Sequence, residues 1–507
     1  MKRGKVYLVG AGPGDIGLIT VKGLKIIEKA DVIVHDFLAN RRLFSFARDD
    51  VVIIDAGKRG GKHLMSQEEI NRLLIEEAKK GKMVVRLKGG DPFIFGRGAE
   101  EAEELAKAGV EFELVPGVTS AISVPAYAGI PLTHRRINST VAFITGHEDP
   151  EKEKSSIIWE KLATACDTLV FLMGVKNLPK IVNNLIKYGR KTHTPCAVIR
   201  WGTTPSQRTV ISSLSEIVEK VKKEGITAPA IFVVGDVVKL REKLNWFEKK
   251  PLFGKKIIVT RAREQASEFA NLLEEFGAFV IQFPTIKISP PSDPYPLKKA
   301  VKNLEQYDWI IFTSVNGVKF FFDTLFEMNK DVRELKGIKL CAIGPGTKDA
   351  LAKRSLKVDL MPDEYRAEAI AELFEKEDIS NKKILIPRAK EARKVLPEML
   401  EKMGAYVDIV EAYQTLAVAD DPDKILSLIK ENKIDMITFT SSSTVKNFFS
   451  ILNKEDKEII KDTSIACIGP ITANTLKGFG FSPAIIPEKY TINSMVDAIV
   501  KFYQKKE

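Results

Sequence analysis

The strongest constraint on this chain is that its second half repeats itself. Lys255-Lys-Ile-Ile-Val-Thr-Arg261-Ala-Arg-Glu returns as Lys382-Lys-Ile-Leu-Ile-Pro-Arg388-Ala-Lys-Glu, and Ile311-Phe-Thr-Ser314 returns as Thr438-Phe-Thr-Ser441, both at an offset of 127 residues. Cys341-Ala-Ile-Gly-Pro345 then returns as Cys467-Ile-Gly-Pro470, with the offset shortened by two. A solenoid unit runs about 20 to 50 residues, so a period this long marks a duplicated domain. Two similar α/β lobes are expected, with a cleft between them where a ligand can sit.

Upstream of the repeat lies a stretch from Val238 to Gly254 that is rich in charge and ends in Pro251 and Gly254, and a domain boundary is placed there. At 507 residues the chain has room for three or four domains. On both sides of the boundary short β-branched runs alternate with helical patterns of about ten to fifteen residues, which predicts an α/β class with helices on both faces of parallel or mixed sheets. The four cysteines, Cys166, Cys196, Cys341 and Cys467, are too far apart in sequence for a framework of disulfides or a thiolate zinc site. The five histidines show no i, i+4 pair, so no metal is expected. No apolar run approaches the ~18 residues that span a bilayer, and the expectation is a cytoplasmic protein that does not bind a membrane.

The formal net charge is +11. Ten of those charges belong to residues 1–250 and one to the rest. An excess of this kind first suggests nucleic acid or another polyanion. The basic patches are not interleaved with aromatics and no nucleic-acid module is visible, so no nucleic-acid partner is expected.

Two glycine clusters follow strand-like runs in the first half. Gly10-Ala-Gly-Pro-Gly-Asp15 fails as a dinucleotide fingerprint, because Asp15 stands where the third glycine belongs and Pro13 removes an amide donor. It reads equally as a tight strand-to-helix turn. The cluster from Arg86 to Gly98 joins two glycines, Asp91 and a proline in an exposed loop suited to ribose hydroxyls or a sulfonium. Ser66 and Glu69 have the spacing of a capping box at the start of a helix.

Taken with Gly57-Lys-Arg59, Val115-Pro-Gly-Val-Thr-Ser120, Gly129-Ile-Pro-Leu-Thr-His-Arg135, Thr145-Gly-His147 and Ala228 to Asp236, these blocks resemble uroporphyrinogen-III C-methyltransferase over residues 1–245. The resemblance implies two lobes, about 1–117 and 118–245, with S-adenosylmethionine in their cleft and two C-methylations giving precorrin-2. Residue by residue it implies that Pro13, Gly89, Gly90, Asp91, Ile94, Thr119, Ser120, Met173 and Gly202 contact the cofactor. It further implies Asp36 as proton acceptor, Lys58 as proton donor and a homodimer through this half. From the residues alone, a carboxylate at a strand end such as Asp36 is more often a helix cap or turn former, and a lysine such as Lys58 more often belongs to a solvated basic loop. An RNA methyltransferase, or another tetrapyrrole methyltransferase, fused to a ligand-binding module is the competing interpretation.

Residues 246–254 are read as a linker. Beyond them, Val259-Thr-Arg261, Phe312 to Gly317, Ala342 to Pro345, Tyr413-Gln-Thr415, Phe439 to Ser442 and Ile468 to Pro470 resemble uroporphyrinogen-III synthase over 255–507. The resemblance implies cyclisation of hydroxymethylbilane to uroporphyrinogen III without a cofactor, in discontinuous lobes of about 255–287 plus 417–507 and 288–416. Tyr413 matches that family's tyrosine acid, and its repeat counterpart is Ile286. Arg261, Thr313, Ser314, Thr347, Thr440, Ser441 and Thr472 are the expected substrate contacts, because strand-end hydroxyls and helix amides hold carboxylates. Helix capping is the commoner use of any one such hydroxyl, but the pattern occurs in four motifs on matching strand ends, Thr313-Ser314, Gly344 to Thr347, Thr440 to Ser443 and Gly469 to Thr472, which weakens that explanation. Together the two resemblances imply a bifunctional enzyme on the route to sirohaem or cobalamin.

Overall fold

The computed structural model describes residues 4–59, 62–63, 65–147, 156–261, 263–364, 367–390, 395–417, 422–431 and 434–505. The chain divides into two compact units, Met1–Lys255 with Phe276–Phe279, and Lys256–Glu275 with Val280–Glu507.

The first unit holds two five-stranded sheets. In the first sheet β1 (Lys5–Gly10), β2 (Val32–His35) and β3 (Val52–Asp55) precede a short hairpin, β4 (Lys58–Arg59) and β5 (Lys62–His63), which stays apart, and β6 (Met83–Lys88) and β7 (Glu111–Val115) complete it. Its strands run parallel in the order β3-β2-β6-β1-β7. Apolar side chains alternate between its faces: Val6, Leu8, Val34 and Val84 join one core, and Val9, Ile33, Val85 and Leu87 the other. Both faces are covered, which is why β2 reads as an unbroken buried run. The second sheet takes β8 (Val141–Thr145), β9 (Thr168–Leu172), β10 (Pro195–Arg200), β11 (Arg208–Ser213) and β12 (Ala230–Val234) in the mixed order β11-β10-β12-β9-β8.

The second unit also has two sheets, and neither is one copy of the repeat. Its strands are β13 (Lys256–Val259), β14 (Phe279–Gln282), β15 (Ile286–Ser289), β16 (Trp309–Phe312), β17 (Lys339–Ala342), β18 (Lys383–Ala389), β19 (Tyr406–Ala417), β20 (Met436–Phe439) and β21 (Ser464–Cys467). One sheet runs β14-β13-β20-β21 and the other β15-β19-β18-β16-β17. Each therefore joins the opening of one repeat to the close of the other.

The exchange happens where the repeats differ. At the offset of 127, β14 and β15 together correspond to the single strand β19, and the residue matching Glu411 is Pro284. Proline has no N–H for a ladder, so the first copy breaks after β14 and resumes as β15 in the other sheet. Thr285 anchors the break: its hydroxyl donates to Thr260 O at 3.2 Å, and Asn447 Nδ2 donates to Thr285 O at 3.1 Å. The longer β19 has a register irregularity opposite Arg388 and Ala389, which pair with Glu411 and Tyr413 and leave Ala412 as the extra residue.

Among the described residues no helix is long and apolar enough to cross a membrane, and no three His, Cys, Asp or Glu side chains gather as a metal site. All four cysteines are free thiols. Burial pushes those of Cys196, Cys341 and Cys467 up to about 12.

Candidate active sites

In the first unit the loops after β1, β6 and β7 meet beyond the carboxyl ends of the sheet, the usual ligand position in an open α/β sheet. Glycine is required here by contact between backbones. Gly12 N donates to Gly90 O at 3.2 Å and Gly90 N donates to Gly12 O at 2.7 Å. A Cβ on Gly10 would lie 2.4 Å from Gly117 Cα, and one on Gly117 would lie 2.3 Å from Gly90 O. Asp91 braces the crossing, since one oxygen accepts from Phe93 N at 2.8 Å and the other from Gly117 N at 2.9 Å.

Around this floor the structure gathers most of the expected cofactor contacts. A Cβ on Gly90 would stand 3.7 Å from the amide of Ser120, which opens the helix Ser120–Tyr127 behind its N-cap Thr119. Gly202 packs on the same helix, where a Cβ would lie 2.4 Å from Val124. Pro13 lies between Gly12 and Gly14, and a Cβ on Gly14 would meet Thr204 at 2.8 Å. Gly89 backs onto Leu38 in the same manner. Ile94 and Met173 are instead exposed on their loops. Met173 holds a left-handed φ of 56°, a conformation that costs a non-glycine residue about 1–3 kcal/mol and concentrates at functional sites.

Asp36 follows β2 and is the outermost member of a buried charged network. Arg86, 2% exposed within β6, donates to Asp36 Oδ1 at 2.5 Å and through Nε to Glu101 Oε1 at 3.1 Å. Lys88 Nζ and Gln67 Nε2 donate to the same Glu101 oxygen at 2.7 and 3.1 Å, while Glu101 Oε2 is buried with no hydrogen-bond partner. Burial, with Arg86 alongside, holds the Lys88 ammonium below its ordinary pKa against the pull of Asp36 and Glu101. Such networks add little net stability, yet removing one partner costs about 3–5 kcal/mol. Their best explanation is the fixed geometry they impose on Asp36, the one carboxylate among them that reaches solvent, at 31% exposure.

Sequence reasoning missed Arg86 and Glu101 as site residues. The signal was available, because Arg86 and Lys88 are two charges inside an otherwise apolar strand. Lys58 falls in β4, but its side chain lies outside the described residues. The capping box forms as spaced: Ser66 Oγ accepts from Glu69 N at 3.2 Å and Glu69 accepts from Ser66 N at 2.6 Å.

In the second unit the expected residues fall into two groups, one per sheet. Tyr413 is 8% exposed, stacked on Phe320 with ring centroids 6.0 Å apart, and its phenol is hydrogen-bonded to Ser314 Oγ at 3.0 Å. Ser314 follows Thr313 at the end of β16 and caps the helix Val315–Glu327 by accepting from Gly317 N at 2.9 Å. Gly317 has to be small, since a Cβ there would lie 2.8 Å from Pro387 O. In the other group Arg261 and Thr440 each stand just beyond the neighbouring strands β13 and β20, and burial lowers the pKa of Arg261. Ser441 caps the helix Ser442–Ile451 in a box with Thr444.

Capping thus accounts for two of the four hydroxyl motifs. The other two differ from the expectation of strand-end hydroxyls. Thr347 and Thr472 are third residues of the helices Pro345–Ala352 and Pro470–Lys477, 4% and 5% exposed, because proline at the first position starts each helix immediately after its glycine. Those two helices have Gly344 and Gly469 as N-caps and no side-chain cap.

Comparison with known proteins agrees with this division. Residues 5–218 match the family of tetrapyrrole (corrin/porphyrin) methylases, and residues 267–497 match uroporphyrinogen-III synthase HemD. The porphyrin biosynthesis protein HemD of Ruminiclostridium josui is 38% identical over 502 residues, 99% of this chain and 98% of that protein. A uroporphyrinogen-III C-methyltransferase of Bacillus subtilis is 52% identical over 247 residues, 49% of this chain and 96% of that protein. The S-adenosyl-L-methionine-dependent uroporphyrinogen III methyltransferase of Methanosarcina barkeri is 53% identical over 242 residues, 48% of this chain and 95% of that protein.

Proposed function

The chain belongs to the tetrapyrrole methylase family through its first unit and to the uroporphyrinogen-III synthase family through its second, and from that premise we propose that it performs two consecutive reactions of tetrapyrrole biosynthesis. The second unit cyclises hydroxymethylbilane to uroporphyrinogen III. The first methylates that product twice, to precorrin-2, using S-adenosylmethionine. Precorrin-2 then leads to sirohaem or cobalamin.

The residues of the first unit fit the methyl donor. Backbone-to-backbone contact at Gly10, Gly90 and Gly117 leaves the strand-end floor without side chains, and the amide-bearing start of Ser120–Tyr127 borders it. When bound, S-adenosylmethionine supplies an electrophilic methyl group. The protein's task is to orient an electron-rich pyrrole carbon toward it, and such orientation contributes about 7–11 kcal/mol to a bimolecular step. The observation that carries this reading is the buried Arg86 fixed on Asp36 at the rim of that floor. An anchored carboxylate suits removal of the proton that methylation leaves on the macrocycle.

In the second unit the phenol of Tyr413 donates its proton to the departing hydroxyl of hydroxymethylbilane. Loss of that group leaves an electrophilic azafulvene, which a substituted pyrrole carbon attacks to form a spiro intermediate. Rearrangement then inverts the last ring. The hydrogen bond between the phenol and the Ser314 hydroxyl supports this role, because it fixes where the phenol oxygen stands.

The test is incubation of the full chain with hydroxymethylbilane, with and without S-adenosylmethionine, followed by oxidation and mass spectrometry. Uroporphyrin III is expected without the methyl donor and a dimethylated tetrapyrrole with it. Absence of any methylated tetrapyrrole would overturn the reading.

A further inference from the structure

The segment read as a linker begins as part of the first unit's packing. Trp246 Nε1 donates to Ala126 O at 3.1 Å, and the rings of Trp246 and Phe247 meet Tyr127 edge-on at 5.0 and 4.8 Å. Phe247 is buried. Glu248 Oε1 accepts from Gln207 Nε2 at 2.8 Å and Thr209 Oγ1 at 2.6 Å, and its other oxygen pairs with Arg241.

From Glu248 a chain of hydrogen bonds runs toward the cofactor floor. Gln207 Oε1 accepts from Thr203 N at 2.9 Å, and Thr203 Oγ1 accepts from Asp15 N at 3.2 Å. Asp15 Oδ2 accepts from Tyr127 OH at 2.7 Å, which closes a ring through Trp246 and Phe247 back to Glu248. Thr203 and Gln207 are 2% and 3% exposed. Both ends of the ring therefore bear on Asp15, two residues after Pro13.

We propose that Glu248 is a positioning residue for the cofactor site: through Gln207 it holds Thr203, and with it Gly202 and the Pro13 loop, in the arrangement that receives S-adenosylmethionine. This rests on the reading that the methyl donor binds at those loops. Backbone geometry supports the role. Trp201 and Thr203, on either side of Gly202, hold left-handed φ angles of 49° and 67°, which non-glycine residues keep only where their surroundings over-determine them. Gln207, bonded to the amide of Thr203 and oriented by Glu248, is part of that determination. The loop is in close contact with the proposed site, Gly202 against Val124 and Thr204 against Gly14 beside Pro13, so a shift of the loop bears on both.

A merely structural strap would alter thermal stability alone. A positioning strap changes cofactor affinity while leaving turnover at saturation in place. The experiment uses the full chain with Glu248→Ala, Glu248→Gln and Gln207→Ala, and measures binding of S-adenosylhomocysteine by calorimetry alongside methylation and cyclisation kinetics. Glu248→Ala and Gln207→Ala are each expected to raise Kd and the KM for S-adenosylmethionine about tenfold, with kcat and cyclisation within about twofold. Glu248→Gln keeps an acceptor for Gln207 and should recover most of the affinity. The double variant should add little to either single one, because the two residues act in one chain. Affinity within twofold of the parent in both alanine variants, even with a lowered Tm, would overturn the proposal. If the parent chain itself bound no S-adenosylhomocysteine, the assignment of the cofactor site would fall first, and the strap's role with it.

Discussion

Asp36 and Tyr413 are each hydrogen-bonded to a side chain from a distant strand end or strand, and those two partners differ in kind. Asp36 is gripped by Arg86, a guanidinium that is itself paired inside the sheet with Glu101, so one half-buried carboxylate stands on a buried ionic base. Tyr413 leans on Ser314, a neutral hydroxyl that also caps a helix. The contrast follows the chemistry proposed for each residue. A group that has to wait as an anion is stabilised by a fixed cation, whereas a proton-donating phenol can be oriented by a hydroxyl that both donates and accepts. The same contrast appears in the distribution of charge, with ten of the eleven excess positive charges in the first 250 residues.

The largest effect expected is at the ionic site. Asp36→Ala should lower the methylation rate by about 10²–10⁴-fold, the span of general acid–base catalysis, while cyclisation by the same chain is unchanged. Kinetics of both reactions on one preparation provide the check. Equal loss of both activities would erase the distinction between the halves.

Tyr413→Phe should do the reverse, with a smaller loss of roughly 10²-fold in cyclisation and none in methylation, because electron push from the pyrrole nitrogen already assists departure of the hydroxyl. A near-normal cyclisation rate would remove Tyr413 from the acid's role. The least effect is expected from Ser314→Ala. Loss of an N-cap side chain costs about 1 kcal/mol, to be read from denaturant unfolding, and the cyclisation rate should fall less than in Tyr413→Phe. If Ser314→Ala matched Tyr413→Phe in rate, the hydroxyl and the phenol would be acting as one unit and the site would be less simple than a single acid.

The two copies of the repeat show what a sequence discloses and what it hides. Aligning them at 127 residues reveals that Tyr413 is matched by Ile286, so the phenol is present once. It also sets Pro284 against Glu411, yet the meaning of that difference, a strand divided between two sheets, depends on which strands lie beside β13 and β18. Several local devices were legible. The capping box at Ser66 and Glu69 involves neighbours three residues apart, and the glycine turns of the first unit carry their own spacing. The pairings that support both sites were not legible, because Arg86 meets Asp36 across 50 residues and Ser314 meets Tyr413 across 99. The segment after Asn245 was read as a connector for the same reason, since its partners Tyr127 and Gln207 lie far upstream.

By itself the sequence determined the α/β alternation, the duplication in the second half, the family motifs with their order, and the residue types available for each reaction. These depend on period, spacing and side-chain chemistry, which are properties of short stretches of chain. Only the tertiary structure decided which strand ends adjoin, that a buried arginine holds Asp36, that a serine capping a helix also holds Tyr413, and that Glu248 is joined to Asp15 through Gln207 and Thr203. Each of these is a contact between segments brought together by burying the apolar faces of a sheet, and hydrophobic burial has no direction of its own: it brings the segments together, and hydrogen bonds and ion pairs then select among the meetings it permits.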